Sequence, residues 1–165
     1  MRTIVLIAHD IRSTHNVGSL LRTAEGLGVT HVYFTGYTPY PPTQPDERLP
    51  HIAAKLGRQI SKTALGAETL VPWTYNPDIL DCIKALKSDG FQLIALEQSE
   101  SSVALPEFKS SEKVAILLGR EVEGIEPELL KRCDVTVEIA MFGKKESFNV
   151  VQAAAMILYH CRFAD

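Results

Sequence analysis

No apolar run in this 165-residue sequence approaches the ~20 residues that a membrane-spanning helix needs. The opening MRTIVLIAHD makes a poor secretory signal: its apolar stretch is short, and charged residues follow without a small-residue cleavage site. A cytoplasmic protein is expected. Cysteine is scarce. Cys82, Cys133 and Cys161 are odd in number and far apart, which suits free thiols rather than disulfides or a metal cage. The five histidines (His9, His15, His31, His51, His160) lack HExxH spacing, so no metal is expected. There is no basic excess either. Lys and Arg number 17 against 20 acidic residues, a net charge of −3, whereas a simple non-specific nucleic-acid binder is usually basic. A nucleic-acid partner would need a local patch, assembled across subunits if necessary. G-x-G-x-x-G and the P-loop are both missing, which argues against a dinucleotide enzyme and a flavodoxin-like nucleotide binder. Internal repeats and low-complexity segments are also lacking.

What remains is an ordinary globular composition, 45% hydrophobic and 22% charged. One domain spanning 1–165 is expected from the length, and it can bury roughly two thirds of its unfolded surface without staples. Thr3–Ala8, His31–Thr35, Leu70–Trp73, Phe91–Leu96, Val114–Leu118 and Val135–Ile139 read as strands. Thr3–Ala8 and Val114–Leu118 are apolar throughout, as in strands covered on both faces. Helical spacing runs from Asn16, a candidate N-cap, to a stop at Gly28, with Val17, Leu20, Leu21, Ala24 and Leu27 as its stripe. Asn76–Asp89 reads as a helix capped by Asn76 and closed by Gly90, with Ile79, Leu80, Ile83 and Leu86 inward. Pro127–Arg132 suggests a short helix and Asn149–Arg162 the last one. Gly36–Pro50 holds five of the nine prolines, and a loop of that length is uncommon unless functional. Ser61–Glu68 has no clear state, and Ser99–Ser111 is a polar connector. Strands alternating with helices predict an α/β fold: three layers, a mostly parallel sheet, helices on both faces.

Three glycine-containing loops adjoin strand ends, where open α/β sheets bind ligands. The first is Asn16–Gly28. Ser19, Arg22, Thr23 and Gly26 share the face opposite its apolar stripe. Gly18 and Gly26, at ~1 kcal/mol each inside a helix, point to close packing or close approach. The second is Leu117–Ile125, where Gly119 permits a sharp turn or a ligand against the backbone. The third is Ile139–Val151, a basic turn leading to Ser147 and Asn149 at the mouth of the last helix, where either could serve as a cap.

Taken together, and in this order, the three loops resemble the SpoU (TrmH-like) RNA 2′-O-ribose methyltransferases of the SPOUT superfamily. Asn16, Gly18, Arg22 and Ala24 match its N-x-G-x-x-x-R-x-A block. Gly119, Glu121 and Gly124 match G-x-E-x-x-G. Ile139, Met141, Gly143, Ser147, Asn149 and Val150 fall in register with I-P-M-x-G-x-x-x-S-L-N-V-S, with Ala140, Phe148 and Val151 standing where Pro, Leu and Ser are usual. The likeness runs from Thr3 to Arg162, leaving no separate RNA-binding extension expected.

The resemblance implies a C-terminal trefoil knot, which periodicity cannot reveal. It also implies bound S-adenosylmethionine and a homodimer whose interface serves both sites. Cofactor contacts are expected from Leu118, Gly119, Ile139, Met141, Gly143, Ser147 and Asn149. The catalytic set is Arg22, Asn16, Glu121, Ser147 and Asn149. A guanidinium with a pKa above 12 is a poor base, so Arg22 is expected to orient a phosphate and stabilise the developing alkoxide through its planar fork. RNA contacts are expected from Arg12, Lys55, Arg58, Lys62, Lys144 and Lys145. Tyr37, Tyr40 and Trp73 could stack bases, although a buried Trp73 ending a strand competes with that role. The expected substrate is tRNA. The alternatives are rRNA, or a catalytically silent RNA-binding or assembly module on the same scaffold.

Overall fold

The computed structural model describes residues 2–163. Seven strands form one sheet in the order β3-β2-β1-β6-β4-β7-β5. They are β1 (Thr3–His9), β2 (His31–Thr35), β3 (Trp73–Asn76), β4 (Gln92–Leu96), β5 (Val103–Ala104), β6 (Lys113–Leu118) and β7 (Val135–Glu138). Every pairing is parallel, so all strands end on one edge. The helices are α1 (Thr14–Gly26), α2 (Pro50–Ala64), α3 (Ile79–Ser88), α4 (Pro127–Leu130) and α5 (Val150–Phe163).

Alternation along β1 divides the core. Ile4, Leu6 and Ala8 pack with α1, α2 and α5 on one face. Val5 and Ile7 pack with Cys82, Ile83 and Leu86 of α3 and Leu129 of α4 on the other. This is the expected three-layer α/β arrangement, and the two-sided apolar runs of β1 and β6 are buried on both faces. Cys82, Cys133 and Cys161 are free thiols. None of the helices is long and apolar enough to cross a membrane, and no His/Cys/Asp/Glu group that could hold a metal occurs among the described residues.

Several boundaries differ from the sequence reading for local reasons. α1 begins two residues before Asn16, because the Ser13 hydroxyl accepts from Asn16 N and caps it. Likewise α3 is capped by Asp78, whose carboxylate takes Leu80 N and Asp81 N, while Asn76 closes β3 and accepts from Asp78 N. Leu80 of the expected stripe is 43% exposed and Cys82 replaces it in the core. β3 runs Trp73–Asn76 rather than Leu70–Trp73. The connector after β4 contains β5. Ser61–Glu68 has no clear state in the sequence, yet its first four residues complete the long helix α2, which begins at Pro50. Gly18 answers to close packing: a Cβ there would strike Ile60 O and Ala64 N of α2. Gly26 has open space where a Cβ would stand.

Candidate active site

The chain turns away from the sheet at the carboxyl ends of β4, β6 and β7, and these three exits share a cleft of about 280 Å³. Leu96, Leu118, Ile139 and Val150 give it apolar walls, and Glu121, Glu138 and Ser147 add polar groups. The position is the one that strand polarity dictates for an open parallel sheet.

The floor is the loop after β6. Gly119 begins it because a Cβ would lie 2.6 Å from Ile125 Cγ1 and 2.7 Å from Gly124 O. Arg120 and Gly124 then exchange backbone hydrogen bonds of 3.2 Å each way. Gly124 takes a positive φ of 71°, which glycine adopts without steric cost. Glu97, just past β4, accepts from Ile125 N at 2.9 Å. Arg120 reaches back to Asp10 at 3.3 Å and also pairs with Glu126.

Glu121 gathers the first motif. It accepts from Arg12 N, from Ser13 N at 3.1 Å and from Asn16 Nδ2 at 3.2 Å. Burial pushes this carboxyl up, but the backbone bonds from Ser13 and Arg12, with the Asn16 amide, outweigh it and hold it below its ordinary value. Glu121 is therefore an anion at neutral pH. Asn149 Nδ2 donates to Asn16 Oδ1 at 3.3 Å. Asn149 also caps α5, its Oδ1 accepting from Val151 N at 2.9 Å. A single chain of contacts, Glu121–Asn16–Asn149, thus joins all three motifs.

Other expected site residues fall elsewhere. Leu118, Gly119, Ile139 and Ser147 line the cleft, and Ser147 is exposed rather than a cap. Met141 is half-buried and Gly143 exposed, and neither lines the cleft within this chain. Lys144 and Lys145 are exposed on the same turn. Arg22 sits two turns beyond Asn16, is exposed, lies outside the cleft, and makes no hydrogen bond or ion pair among the described residues. Lys55, Arg58 and Lys62 are exposed on α2 and Arg12 at the entry to α1. Trp73 opens rather than ends its strand and packs, half-buried, against the core.

Sequence reasoning missed Glu97, Gln98, Arg120 and Glu138, all in the cleft wall. Glu97 and Gln98 follow a buried parallel strand directly, so the strand-end rule that selected Gly119 applies to them too.

The model of the SpoU rRNA Methylase family matches residues 3–159. The tRNA (guanosine(18)-2′-O)-methyltransferase of Escherichia coli K12 is 28% identical over 159 residues, 96% of this chain and 62% of that enzyme. The chain spans about three-fifths of the length of the first curated relatives it matches. Among solved structures, an AdoMet-bound rRNA methyltransferase from Sinorhizobium meliloti superposes with a TM-score of 0.82 at 21% identity, covering 98% of this chain and 57% of that one. A structure described as giving insights into 2-OH methylation of C/U34 on tRNA superposes at 0.76 and 21% identity, covering 97% and 94%. With the family model matched from β1 into α5, the chain belongs to the SpoU methylase family.

Proposed function

We propose that this protein is an S-adenosylmethionine-dependent methyltransferase acting on a ribose 2′-hydroxyl of RNA, with tRNA as the favoured substrate. The observation that carries this reading is the convergence of Gly119, Glu121, Ile139 and Ser147 on one strand-end cleft, to which Glu121 ties the Asn16–Asn149 pair. Its volume lies near the lower end of the ~300–1,000 Å³ typical of small-ligand sites. Apolar walls beside exposed peptide and hydroxyl groups suit an adenine ring with a polar tail. S-adenosylmethionine supplies an electrophilic methyl group when bound. Leu118, Gly119, Ile139 and Met141 would hold the adenine, and the turn Gly143–Asn149 would wrap the remainder. The C-terminal knot belongs to the same proposal. β6 lies between β1 and β4, and the loops after β6 and β7 meet in the cleft, an arrangement that supports it.

Arg22 orients the substrate phosphate and stabilises the developing 2′-alkoxide with its planar fork. It does not reach the cleft of its own chain, so a second copy of the chain brings it there and the working unit is a homodimer. Asn16, Glu121, Ser147 and Asn149 organise the site. Arg12, Lys55, Arg58, Lys62, Lys144 and Lys145 supply the positive surface that the net charge of −3 conceals. RNA affinity should therefore fall steeply with salt as phosphate contacts release counterions.

The tRNA preference rests on the E. coli relative and on the structure concerned with tRNA position 34. rRNA is the second reading, supported by the family description. The test is calorimetry with S-adenosylmethionine, followed by tritium transfer from it to bulk tRNA and to rRNA. Binding with transfer to one RNA pool supports the enzyme. Binding to RNA without cofactor binding would leave the silent module.

A further inference from the structure

A second cleft, about 490 Å³, lies on the other side of the first motif, between the proline-rich loop after β2 and α2. Arg12, Thr14, Tyr37, Tyr40, Leu56 and Tyr75 help to line it. Its wall is built to stay in place. The Arg48 guanidinium donates to both Asp46 oxygens at 2.8 and 2.6 Å, to Tyr40 O at 2.9 Å and to Pro41 O at 3.1 Å. It also lies 3.8 Å over the Tyr40 ring, while Tyr75 stacks on that ring at 4.1 Å. Two groups that close to one ring centre must take opposite faces, so Tyr40 has none left for a ligand.

Tyr37 is the contrast: it is 50% exposed and stacks on no other ring among the described residues. Its backbone is nonetheless fixed, because Tyr37 N donates to Asp10 Oδ1 at 3.0 Å. Asp10 Oδ2 takes Arg120 of the active cleft's floor, so one carboxylate holds Tyr37 and that floor in register. Beside the cleft runs α2, which carries Lys55, Arg58 and Lys62 and no acidic residue. Their spacing of 3 and 4 residues puts them on one exposed face, and none is in an ion pair among the described residues.

We infer that this cleft is a second RNA subsite: an unpaired base of the substrate stacks on Tyr37, and the adjoining phosphates run along the basic face of α2. The inference rests on the RNA methyltransferase reading and adds a substrate class to it, single-stranded loop RNA rather than duplex. An aromatic platform beside a positive track is the arrangement by which proteins hold unpaired nucleotides without reading their sequence. Tyr37 is a positioning residue, set by Asp10 at a fixed offset from the reacting site.

The test is direct titration of the full chain with a fluorescein-labelled RNA hairpin bearing a single-stranded loop, and with a blunt duplex of equal length, followed by anisotropy. Tyr37→Ala should weaken hairpin binding about tenfold, as loss of one stacked base implies, and leave duplex binding unchanged. Tyr37→Trp should restore the hairpin. Hairpin binding unchanged in Tyr37→Ala, or hairpin and duplex weakened equally, overturns the subsite. S-adenosylmethionine calorimetry and tritium transfer on the wild type judge the enzyme reading separately. A protein that shows the Tyr37 effect but transfers no methyl group keeps the subsite and loses the enzyme.

Discussion

The two loops that face each other across the active cleft are built in opposite ways. The loop after β6, residues 119–125, is tied at almost every residue: Arg120 to Asp10, Glu121 to the entry of α1, and Ile125 N to Glu97. The loop after β7 is exposed from Phe142 to Asn149, and Phe142 at its turn is 99% exposed. Its side-chain ties are Gln98 Nε2 donating to Glu146 O at 2.9 Å and the Asn149–Asn16 contact. One wall is tied to its neighbours and the other is largely exposed. A preorganised wall binds without an ordering cost, whereas a free wall lets a bulky cofactor enter before it is enclosed.

Substitution should separate the two walls. Glu121→Ala leaves Arg12 N, Ser13 N and the Asn16 amide without their acceptor, and should cost about 2 kcal/mol in urea denaturation, together with cofactor affinity. Gln98→Ala, which loosens only the open wall, should stay within ~0.5 kcal/mol of wild type. If the two variants cost the same, the contrast is wrong.

Acid should act on the tied wall through Glu121. Glu121 is held below its unfolded value, so its stabilising contribution is present above the ordinary carboxylate range and is lost as pH falls through the folded value. Stability measured across that range should fall less steeply in Glu121→Gln. An unchanged slope would remove Glu121 from the account.

Trypsin reads the open wall. Cleavage after Lys144 or Lys145 should be fast in the free protein and slowed by S-adenosylmethionine. Equal rates with and without cofactor would mean that the loop does not close. A gentler probe is Ser147→Cys. Burial pushes the Cys82 thiol up to about 12 and the Cys133 and Cys161 thiols up to about 11, so all three should label slowly at neutral pH. The introduced thiol should label fast over that background and be protected by cofactor.

The parts of the molecule governed by local pattern are legible in the sequence. The apolar runs of β1 and β6, the buried stripe of α1 and Gly28 just past its end, at a φ of 65°, follow from propensity and periodicity. α2 was not legible because its markers mislead. Gly57 resembles a helix breaker, yet a Cβ there would lie 2.7 Å from Pro42 Cγ, so glycine admits the proline-rich loop against the helix. Caps fall a few residues from the expected positions because Ser13 takes Asn16 N and Asp78 takes Leu80 N and Asp81 N. In α1 that slip has a use: with Ser13 capping, the Asn16 side chain is left for Glu121 and Asn149. Strand order and the meeting of Glu97, Arg120 and Glu138 at the cleft were beyond reach, since nothing in a one-dimensional pattern states which strands are neighbours. The motif resemblance names Glu121, Asn16 and Asn149 as candidates, and the fold shows the hydrogen bonds that join them.

Arg22 carries the greatest weight of all. Methyl transfer to bulk tRNA by Arg22→Lys, measured with saturating S-adenosylmethionine whose affinity is checked by calorimetry, tests the proposed chemistry most directly. Lysine keeps the charge and loses the fork. Turnover should fall at least ~100-fold, as for removal of a transition-state hydrogen-bond donor, with cofactor affinity unchanged. Near-wild-type turnover with the cofactor still bound would contradict it.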